Sequence, residues 1–275
     1  MRPEQLGSGG IKDENIGAYC DLFSAKSGID GQDGGIVTAL LVKGIEEGMF
    51  DSAIVVQRKE GYNAEAVIAQ NISEVMSARG TKYLRVRVTP KIQELVNQGK
   101  KNIAIVCTPC EAKAARKIQQ TLKSNSSNVE VTIIGLFCFE AFNGTKLKEE
   151  IQTSLGVDID KAEKTQIRKG KFTVHLDGRE YSCKVKDLNG AVEKACHYCD
   201  DFSAQLADIS VGSVGSQIGY STVIVRSEVA KKLLENLDVT KEAVDKEEII
   251  KLSRLKKQRA KKIHPFTTDN KPAKK

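Results

Sequence analysis

The sequence predicts an α/β protein: a mixed β-sheet layer with flanking helices plus a smaller strand-rich lobe. Between residues 31 and 156, short Val- and Ile-rich runs alternate with helical periodicity, as in a sheet with helical crossovers. After Gly156 the pattern changes, and several short strand-like runs follow one another around a turn at Asp177-Gly178. No GxGxxG stands between a strand and a helix, so a Rossmann dinucleotide fold is not predicted.

The elements of the first half follow from this alternation. Residues 1–30 are expected to be irregular, because they hold several glycines and few apolar runs. The glycine-rich segment 31–35 opens a helix, in which apolar residues recur at helical spacing until Gly48 ends it. The other elements predicted as far as Gly156 are strands at 52–57, 64–70, 102–106 and 129–137 and helices at 72–78, 90–98, 111–122 and 143–155.

The second half is richer in short strands. Its predicted elements are strands at 164–170, 171–176, 180–185, 207–211 and 221–225 and helices at 228–237 and 246–262. The sequence is accordingly divided into four parts: an irregular segment 1–30, an α/β part 31–156, a strand-rich lobe 157–237 with a CxxC and a Gly-rich loop, and a basic C-terminal helix and tail 238–275.

The composition is that of a soluble globular protein, with 40% hydrophobic and 29% charged residues. No run approaches the roughly 18–20 apolar residues that cross a bilayer. The first ten residues lack the apolar core of a signal peptide. We therefore expect a cytoplasmic protein, in which seven cysteines indicate metal binding, catalysis or simple burial rather than disulfides.

The basic character of the chain is confined to its C-terminal part. The formal net charge is +7, but ten of the 43 Lys and Arg residues lie in 251–275 beside one acidic residue, so the rest is slightly acidic. Aromatic residues make up 5% and Trp is absent, which argues against a nucleic-acid surface built on stacking. The basic segment is interpreted as a solvated helix with a disordered end, or as a docking segment for an acidic partner subunit.

Four cysteines are candidates for one metal site. Cys196 and Cys199 are three residues apart, so one tight turn can direct both thiols at a metal centre. Cys110 and Cys138 each lie just past a predicted strand, where open α/β sheets form their ligand crevice. Four thiolates suffice for one [4Fe–4S] cluster or for an all-cysteine zinc site.

Other interpretations of the cysteines stay open at this point. Cys107 and Cys110 form a CxxC before a helix, the position of a thioredoxin-like dithiol. His197 could replace one thiolate as a ligand. Cys20 and Cys183 are most simply buried or exposed bystanders.

Two glycine-rich segments are candidate cofactor loops. Residues 32–35 precede a helix, and their unhindered N–H groups at the positive end of its dipole suit a phosphate or pyrophosphate. The loop 212–219 permits a ligand to approach the backbone closely.

Six motifs occur in an order that resembles one protein family: QDGGIVTALL (32–41), GTKY (80–83), TPC (108–110), GLFCFEAF (135–142), CHYCDDF (196–202) and ADISVGSVGSQIGYSTVIVR (207–226). The chain resembles the beta subunit of the coenzyme F420-reducing [NiFe] hydrogenase. The wider family includes beta subunits of F420-dependent formate dehydrogenase and related flavin–iron–sulfur reductases. The resemblance covers roughly residues 31–226, and more loosely the basic C-terminal helix.

The resemblance implies an oxidoreductase subunit with FAD, one [4Fe–4S] cluster and a pocket for the deazaflavin coenzyme F420. The family's cluster ligands fall on Cys110, Cys138, Cys196 and Cys199, whereas Cys107 matches a position that is usually not cysteine. Relatives with a second cluster carry CxxCxxC near the N-terminus, where this chain has only Cys20, so one cluster is expected. This shorter form favours the hydrogenase subunit over the formate dehydrogenase subunit.

The resemblance also implies partners and a direction of electron transfer. The expected partners are the [NiFe] hydrogenase large subunit and its iron–sulfur small subunit. Single electrons would pass through the cluster to FAD, and a hydride would then pass to F420, with no protein acid or base required. A competing hypothesis from another class is a zinc-binding scaffold or assembly protein that uses the same four thiolates without redox chemistry.

The cofactor contacts implied by the resemblance fall in four groups. The flavin site is expected at Gln32, Asp33, Gly34, Gly35 and Thr38, with Gly80, Thr81, Lys82 and Tyr83 nearby. Thr108 and Pro109 would hold the flavin near the cluster, and Gly212, Gly215 and Ser216 would allow a close approach of one cofactor. For the anionic tail of F420 the candidates are the cations Lys169, Lys171 and Arg226.

Overall fold

The computed structural model describes residues 10–125 and 127–263, which contain eleven strands in two sheets and seven α-helices. Numbered along the chain, the strands are β1 (Asp21–Ser27), β2 (Ser52–Arg58), β3 (Ala64–Ala69), β4 (Asn102–Cys107), β5 (Glu130–Leu136), β6 (Lys164–Arg168), β7 (Lys171–Leu176), β8 (Arg179–Lys184), β9 (Ile209–Gly212), β10 (Ser221–Val225) and β11 (Val239–Glu242). The helices are α1 (Ile36–Glu46), α2 (Ile72–Ser77), α3 (Pro90–Asn97), α4 (Pro109–Ser124), α5 (Gly144–Leu155), α6 (Glu228–Leu234) and α7 (Lys246–Ile263).

The larger sheet has eight strands in the order β11-β1-β10-β9-β5-β4-β2-β3. Its middle strands β2, β4, β5 and β9 run parallel to one another. On one side β3 pairs antiparallel with β2, and on the other β10 pairs antiparallel with β9, β1 with β10, and β11 with β1. The parallel strands read as continuous apolar runs because both of their faces are covered. Ile54, Ile105 and Ile133 face one another in register and are fully buried.

Helices cover both faces of this sheet. On one face, α1 and α6 bury residues such as Leu40 and Leu233. On the other, α3 and α4 bury residues such as Ile92 and Ala112. The predicted mixed α/β layer with flanking helices is confirmed.

The smaller sheet is an antiparallel meander of β6, β7 and β8. The predicted turn at Asp177-Gly178 connects β7 and β8, and both turn residues have positive φ (50° and 68°), as a two-residue hairpin requires. Phe172 of β7 is fully buried against Leu147 and Ile151 of α5, so this helix forms the base of the small sheet.

The structure differs from the sequence prediction at both flanks of the larger sheet. Of the segment expected to be irregular, residues 1–9 lie outside the described residues, but 21–27 form β1, hydrogen-bonded between β10 and β11. Residues 157–237 do not form one lobe, because β9 and β10 join the larger sheet. β9 and β10 were predicted as strands, but their partners β5 and β1 are distant in sequence, so local patterning does not reveal which sheet they join.

The predicted basic helix is α7, whose inner face is buried rather than solvated. Ile249, Ile250 and Ala260 on this face are buried, and the first two pack against Ile16 and Ile224. The predicted tail beyond Ile263 lies outside the described residues. Within the described ranges, no helix combines the length and apolar character needed to span a membrane.

Candidate functional site

A cleft with about 1200 Å³ of empty space, its open mouth included, lies at the carboxyl ends of the parallel strands. Its floor is formed by residues at those strand ends, among them Val56, Val106, Leu136 and Val211. Ligand crevices of open α/β sheets lie at this edge. The sequence-predicted residues that the structure brings to the cleft are Gln32, Asp33, Gly35, Thr38, Gly80, Thr81, Lys82, Thr108 and Gly212.

The start of α1 forms one wall of the cleft. Residues Ile36–Thr38 line it, and their N–H groups belong to the first helical turn, which has no side-chain cap and no acidic residue. Gly35 precedes this turn with φ 70°, and a Cβ there would lie 2.1 Å from the carbonyl oxygen of Ile29. Such an open helix start suits a phosphate group.

Gly34 does not line the cleft but packs this turn against the sheet. Its N–H donates to Ser221 Oγ at 3.0 Å, and a Cβ would lie 2.3 Å from the carbonyl oxygen of Ala25. The glycine is therefore required for the close packing of the loop on β1 and β10.

Three cations, Arg79, Lys82 and Arg85, also line the cleft. The ammonium of Lys82 donates to the carbonyl oxygens of Ala78 and Arg79 at the end of α2. Burial, assisted by the nearby charge of Arg58, lowers the pKa of Lys82 to about 8. Sequence reasoning found Lys82 but missed the two arginines, although they flank the GTKY motif within two residues on either side.

The small sheet supplies another wall. Gln32 Nε2 donates to the carbonyl oxygen of Thr165 at 3.1 Å. Burial raises the pKa of Asp33, and the positive charges of Arg168 and Lys164 on β6 oppose this shift. The β6 strand therefore brings positive charge to the side of the cleft that carries Asp33.

The four predicted cluster cysteines lie on three segments beside the cleft. Cys110 begins α4, Cys138 follows β5, and Cys196 and Cys199 lie on and just after a 3-10 helix, Lys194–Tyr198. Burial raises the pKa of Cys138 to about 12; the charge of Lys256 opposes this shift, and the neighbouring thiols of Cys196, Cys110 and Cys199 add to it. The four thiols are therefore electrostatic neighbours.

Backbone contacts hold these segments together. The N–H of Cys138 donates to the carbonyl oxygen of Phe202 at 2.9 Å, just beyond Cys199. The N–H of Ala141 donates to Cys196 Sγ at 3.4 Å, while Thr108 Oγ1 lies 3.3 Å from Cys110 Sγ. Because Thr108 and Ala141 also line the cleft, the cleft and the cysteine group share a wall.

Within residues 10–125 and 127–263, no three His, Cys, Asp or Glu side chains converge on a point that a single metal ion could occupy. Cys107 is buried beneath the cleft, and burial raises its pKa well above the ordinary value. This is the opposite of the lowered pKa that a reactive dithiol requires. Cys20 precedes β1 and Cys183 lies on β8, so neither belongs to the three segments that carry the predicted ligands.

Several predicted cofactor contacts have other roles. Tyr83 is largely buried, accepts a hydrogen bond from the N–H of Ile167 at 2.9 Å, and so joins the small sheet to the cleft loop. Pro109 is buried at the start of α4. Lys169 and Lys171 are exposed at the turn between β6 and β7 and do not line the cleft.

Arg226, Gly215 and Ser216 are corrections to the predicted site. Arg226 is fully buried, and its guanidinium donates to Ser210 Oγ and to the carbonyl oxygens of Ala18 and Ser203, so no coenzyme reaches it. A Cβ at Gly215 would meet the Asp245 carbonyl and Ile249, and Ser216 Oγ bonds Ser24 and Thr222. Gly215 accommodates α7 and its preceding loop, and Ser216 joins the same loop to the sheet, rather than contacting a cofactor.

Sequence reasoning missed Glu111, which holds the segment 85–89 beside the cleft. Its buried carboxylate accepts hydrogen bonds from the N–H groups of Val88 and Thr89 and from Thr89 Oγ1, and pairs with Arg85. Burial raises the pKa of Glu111, but these bonds outweigh it and hold the pKa below the ordinary value. A charged residue directly after the CxxC was the available signal.

Comparisons with known proteins agree with this architecture. The family model described as coenzyme F420 hydrogenase/dehydrogenase, beta subunit N-term matches residues 22–92, and the companion model for the C terminus of that beta subunit matches 100–257. The coenzyme F420 hydrogenase subunit beta of Methanothermobacter thermautotrophicus is 34% identical over 230 residues, covering 80% of this chain and 82% of that protein.

A coenzyme F420-dependent sulfite reductase of Methanocaldococcus jannaschii is 36% identical over 257 residues. The match covers 89% of this chain but only 40% of that protein. The F420-dependent formate dehydrogenase subunit beta of the same organism is 27% identical and is covered to 55%.

Among solved structures, a chain of the F420-reducing [NiFe] hydrogenase complex from Methanosarcina barkeri superposes with a TM-score of 0.87 at 28% sequence identity. The superposition covers 93% of this chain and 94% of that one. The family resemblance carried by the six motifs is thus confirmed by sequence and by structure. The chain belongs to the coenzyme F420 hydrogenase/dehydrogenase beta subunit family.

Proposed function

We propose that this chain is the flavin-carrying beta subunit of a complex that reduces coenzyme F420, with a [NiFe] hydrogenase as its electron donor. The observation that carries the proposal is the shared wall: Thr108 and Ala141 line the cleft and also contact the thiols of Cys110 and Cys196. A flavin in the cleft would lie directly beside a cluster held by those thiols.

The cleft residues fit FAD through their charge and their open helix start. The N–H groups of Ile36–Thr38 have no side-chain cap, so they would bind a phosphate oxygen. Arg79, Lys82 and Arg85 supply positive charge in the same cleft, and the apolar strand ends form a floor for a ring system. Asp33 is the only carboxylate among the cleft residues that the structure describes.

The cysteine group fits a [4Fe–4S] cluster. Such a cluster takes one thiolate at each of four iron atoms, so its ligands surround a space rather than converge on a point. The hydrogen bond from Ala141 to Cys196 Sγ also favours a thiolate over a thiol. Bound together, flavin and cluster would supply the exchange between single electrons and a hydride, and no acid or base of the chain is assigned to it.

The anionic tail of coenzyme F420 needs cations at the cleft. In place of Lys169, Lys171 and Arg226, we favour Arg168 and Lys164 of β6, the strand that is hydrogen-bonded to Gln32 in the cleft. Both act on the carboxyl of Asp33, although neither is itself a lining residue of the cleft. Arg168 is half-buried at the end of β6, so its guanidinium is more restricted than an exposed lysine.

The partners follow from the same proposal. They are the [NiFe] hydrogenase large subunit and the iron–sulfur small subunit, and the superposition on a chain of an F420-reducing [NiFe] hydrogenase complex supports this choice. The alternative partners are those of another F420-linked enzyme. The match to a formate dehydrogenase subunit supports a formate dehydrogenase, and the match to a sulfite reductase supports a different reductase.

The proposal is tested on protein purified anaerobically with a tag on this chain. We expect flavin absorption bands, broad iron–sulfur absorption, about four iron atoms per chain, and co-purified hydrogenase subunits. Zinc in place of iron and flavin would support the scaffold hypothesis instead. Co-purified formate dehydrogenase subunits would reassign the electron donor.

The cluster ligands are tested with two alanine variants. Cys199→Ala removes a proposed ligand, whereas Cys183→Ala removes a thiol of the small sheet that lies outside the cysteine group. We expect the first variant to lose its iron and the second to keep it. Equal iron content in the two variants would refute the ligand assignment.

A further inference from the structure

The inner face of α7 places a buried ammonium against a cysteine segment. Lys256 is only 1% exposed, and its Nζ donates to the carbonyl oxygen of Cys138 at 2.6 Å. A helix on the surface of a protein normally keeps its lysines in water, because burying a charge without a partner is costly. The position of Lys256 therefore needs an explanation beyond solubility.

Arg259, one turn further along α7, joins two cysteine segments. One guanidinium nitrogen lies 2.6 Å from Glu140 Oε2, and the other donates to the carbonyl oxygens of Phe139 and Cys196 at 2.9 and 3.0 Å. The guanidinium also stacks on the Phe139 ring at 4.5 Å. This one side chain fixes the segment after Cys138 relative to the segment that carries Cys196.

Lys256 contacts a predicted cluster ligand rather than forming an ion pair with a carboxylate. The ion pairs among the described residues do not include Lys256. Its ammonium is instead hydrogen-bonded to the backbone of Cys138, one of the four predicted cluster ligands. A buried cation with this surrounding is suited to balance negative charge on the cysteine sulfurs.

We infer that α7 tunes the metal centre: Lys256 raises the reduction potential of a cluster bound by the four cysteines, while Arg259 positions the two ligand segments. This inference rests on the proposed function. One-electron reduction adds a negative charge to the cluster, and a buried cation favours the reduced form. Salt screens such a buried charge far less than an exposed one.

The test uses the tagged complex and three substitutions on α7. Lys256→Gln removes the charge but keeps a donor for the Cys138 carbonyl, and Lys256→Arg keeps the charge. Lys261→Gln removes the same charge from an exposed position of the helix. Iron content is measured first, and the ratio of reduced to oxidised cluster is then read by electron paramagnetic resonance at one fixed potential.

We expect Lys256→Gln to keep its iron and to lower this ratio about tenfold, which is 59 mV for a one-electron couple. Lys256→Arg and Lys261→Gln should stay within about twofold of the parent protein, well below that step. An iron-loaded Lys256→Gln with the parent ratio overturns the inference and leaves the proposed function intact. A parent protein without iron contradicts the proposed function itself.

A second variant covers the case in which Lys256→Gln is purified without iron. Arg259→Gln removes the other cation from the same segments, and the same ratio is measured on it. A fall in the ratio, or faster loss of iron to a chelator than in Lys261→Gln, supports the inference. An unchanged ratio together with unchanged iron retention overturns it.

Discussion

Arg85 Nη2 and Glu111 Oε1 lie 3.0 Å apart, and this ion pair joins the loop above the cleft to the first turn of α4. The same carboxylate accepts both N–H groups at the start of α3, from Val88 and Thr89. Because Cys110 precedes Glu111 directly, the pair also fixes the first predicted cluster ligand. The buried side chain of Glu111 therefore connects the loop above the cleft to the segment that carries Cys110.

Glu111→Ala is expected to lower the free energy of unfolding by about 3–5 kcal/mol, since Arg85 and two backbone N–H groups lose their buried partner. The measurement is urea unfolding followed by circular dichroism, because the chain has no Trp. The matched control is Glu94→Ala, which breaks an exposed pair with Lys91 and should cost less than about 1 kcal/mol.

The pH dependence follows from the lowered pKa of Glu111. A depressed carboxyl pKa means that the unfolded chain binds the proton more readily, so the stabilisation is full above pH about 4.5 and lost as pH falls through the folded-state pKa. The difference in stability between the parent and Glu111→Ala should therefore shrink below that pH. A difference independent of pH would contradict the buried ionised state.

Gly35→Ala is expected to destabilise the protein more than Gly48→Ala. Both glycines have φ near 70°, so each substitution incurs about 1–2 kcal/mol of backbone strain. A Cβ at Gly48 enters open space, whereas one at Gly35 lies 2.1 Å from the carbonyl of Ile29. Unfolding should show an extra loss of about 1–3 kcal/mol for Gly35→Ala; equal losses would mean that the turn before α1 yields easily.

Lys82→Gln is expected to weaken FAD binding about tenfold at pH 7, or about 1.4 kcal/mol. Since burial lowers the pKa of Lys82 to about 8, the parent protein should bind FAD more weakly as pH rises through that value and the ammonium is lost. Flavin fluorescence titrations from below to above this pKa measure both effects.

The control for this experiment is Lys123→Gln, which removes a lysine at the far end of α4. It should leave both the affinity and its pH profile unchanged. A parent protein whose FAD affinity is constant across pH 8 would show that Lys82 does not act through its charge.

Arg168→Gln is expected to raise the KM for coenzyme F420 about tenfold with little change in kcat, because it removes a uniform binding contact. Lys169→Gln, one residue further along, is the matched control and should change KM less than about twofold, since Lys169 is exposed in the turn after β6. The assay uses the assembled complex with hydrogen as donor. A larger effect at Lys169 would restore the assignment made from sequence.

The middle of the large sheet was predictable because β2, β4 and β5 are continuous apolar runs bounded by turns. β1 was not, because Asp21–Ser27 has no long apolar run and no regular alternation, and it forms a strand through its pairing with β10 and β11. The helices were predicted to within a few residues, since Gly48, Pro90 and Gly156 mark ends that local chemistry determines.

The candidate site was predictable where motifs lie at strand ends, as for Gln32, Thr108 and Gly212. It was not where long-range packing decides. Arg226 follows an apolar strand and looks available in the sequence, but Ala18 and Ser203 enclose it. The cations of β6 were missed because nothing local in the sequence links them to the cleft, whereas Arg79 and Arg85 were missed although they flank the GTKY motif.

The pairing of Asp21 with Val225 has a consequence for biosynthesis. During translation β1 is made early, yet both of its neighbours, β10 and β11, emerge only after most of the chain has left the ribosome. The sheet therefore closes late, and β1 has unpaired edges until then, a situation that slows folding and invites aggregation. Heterologous expression at low temperature or with chaperones should accordingly raise the yield of folded protein.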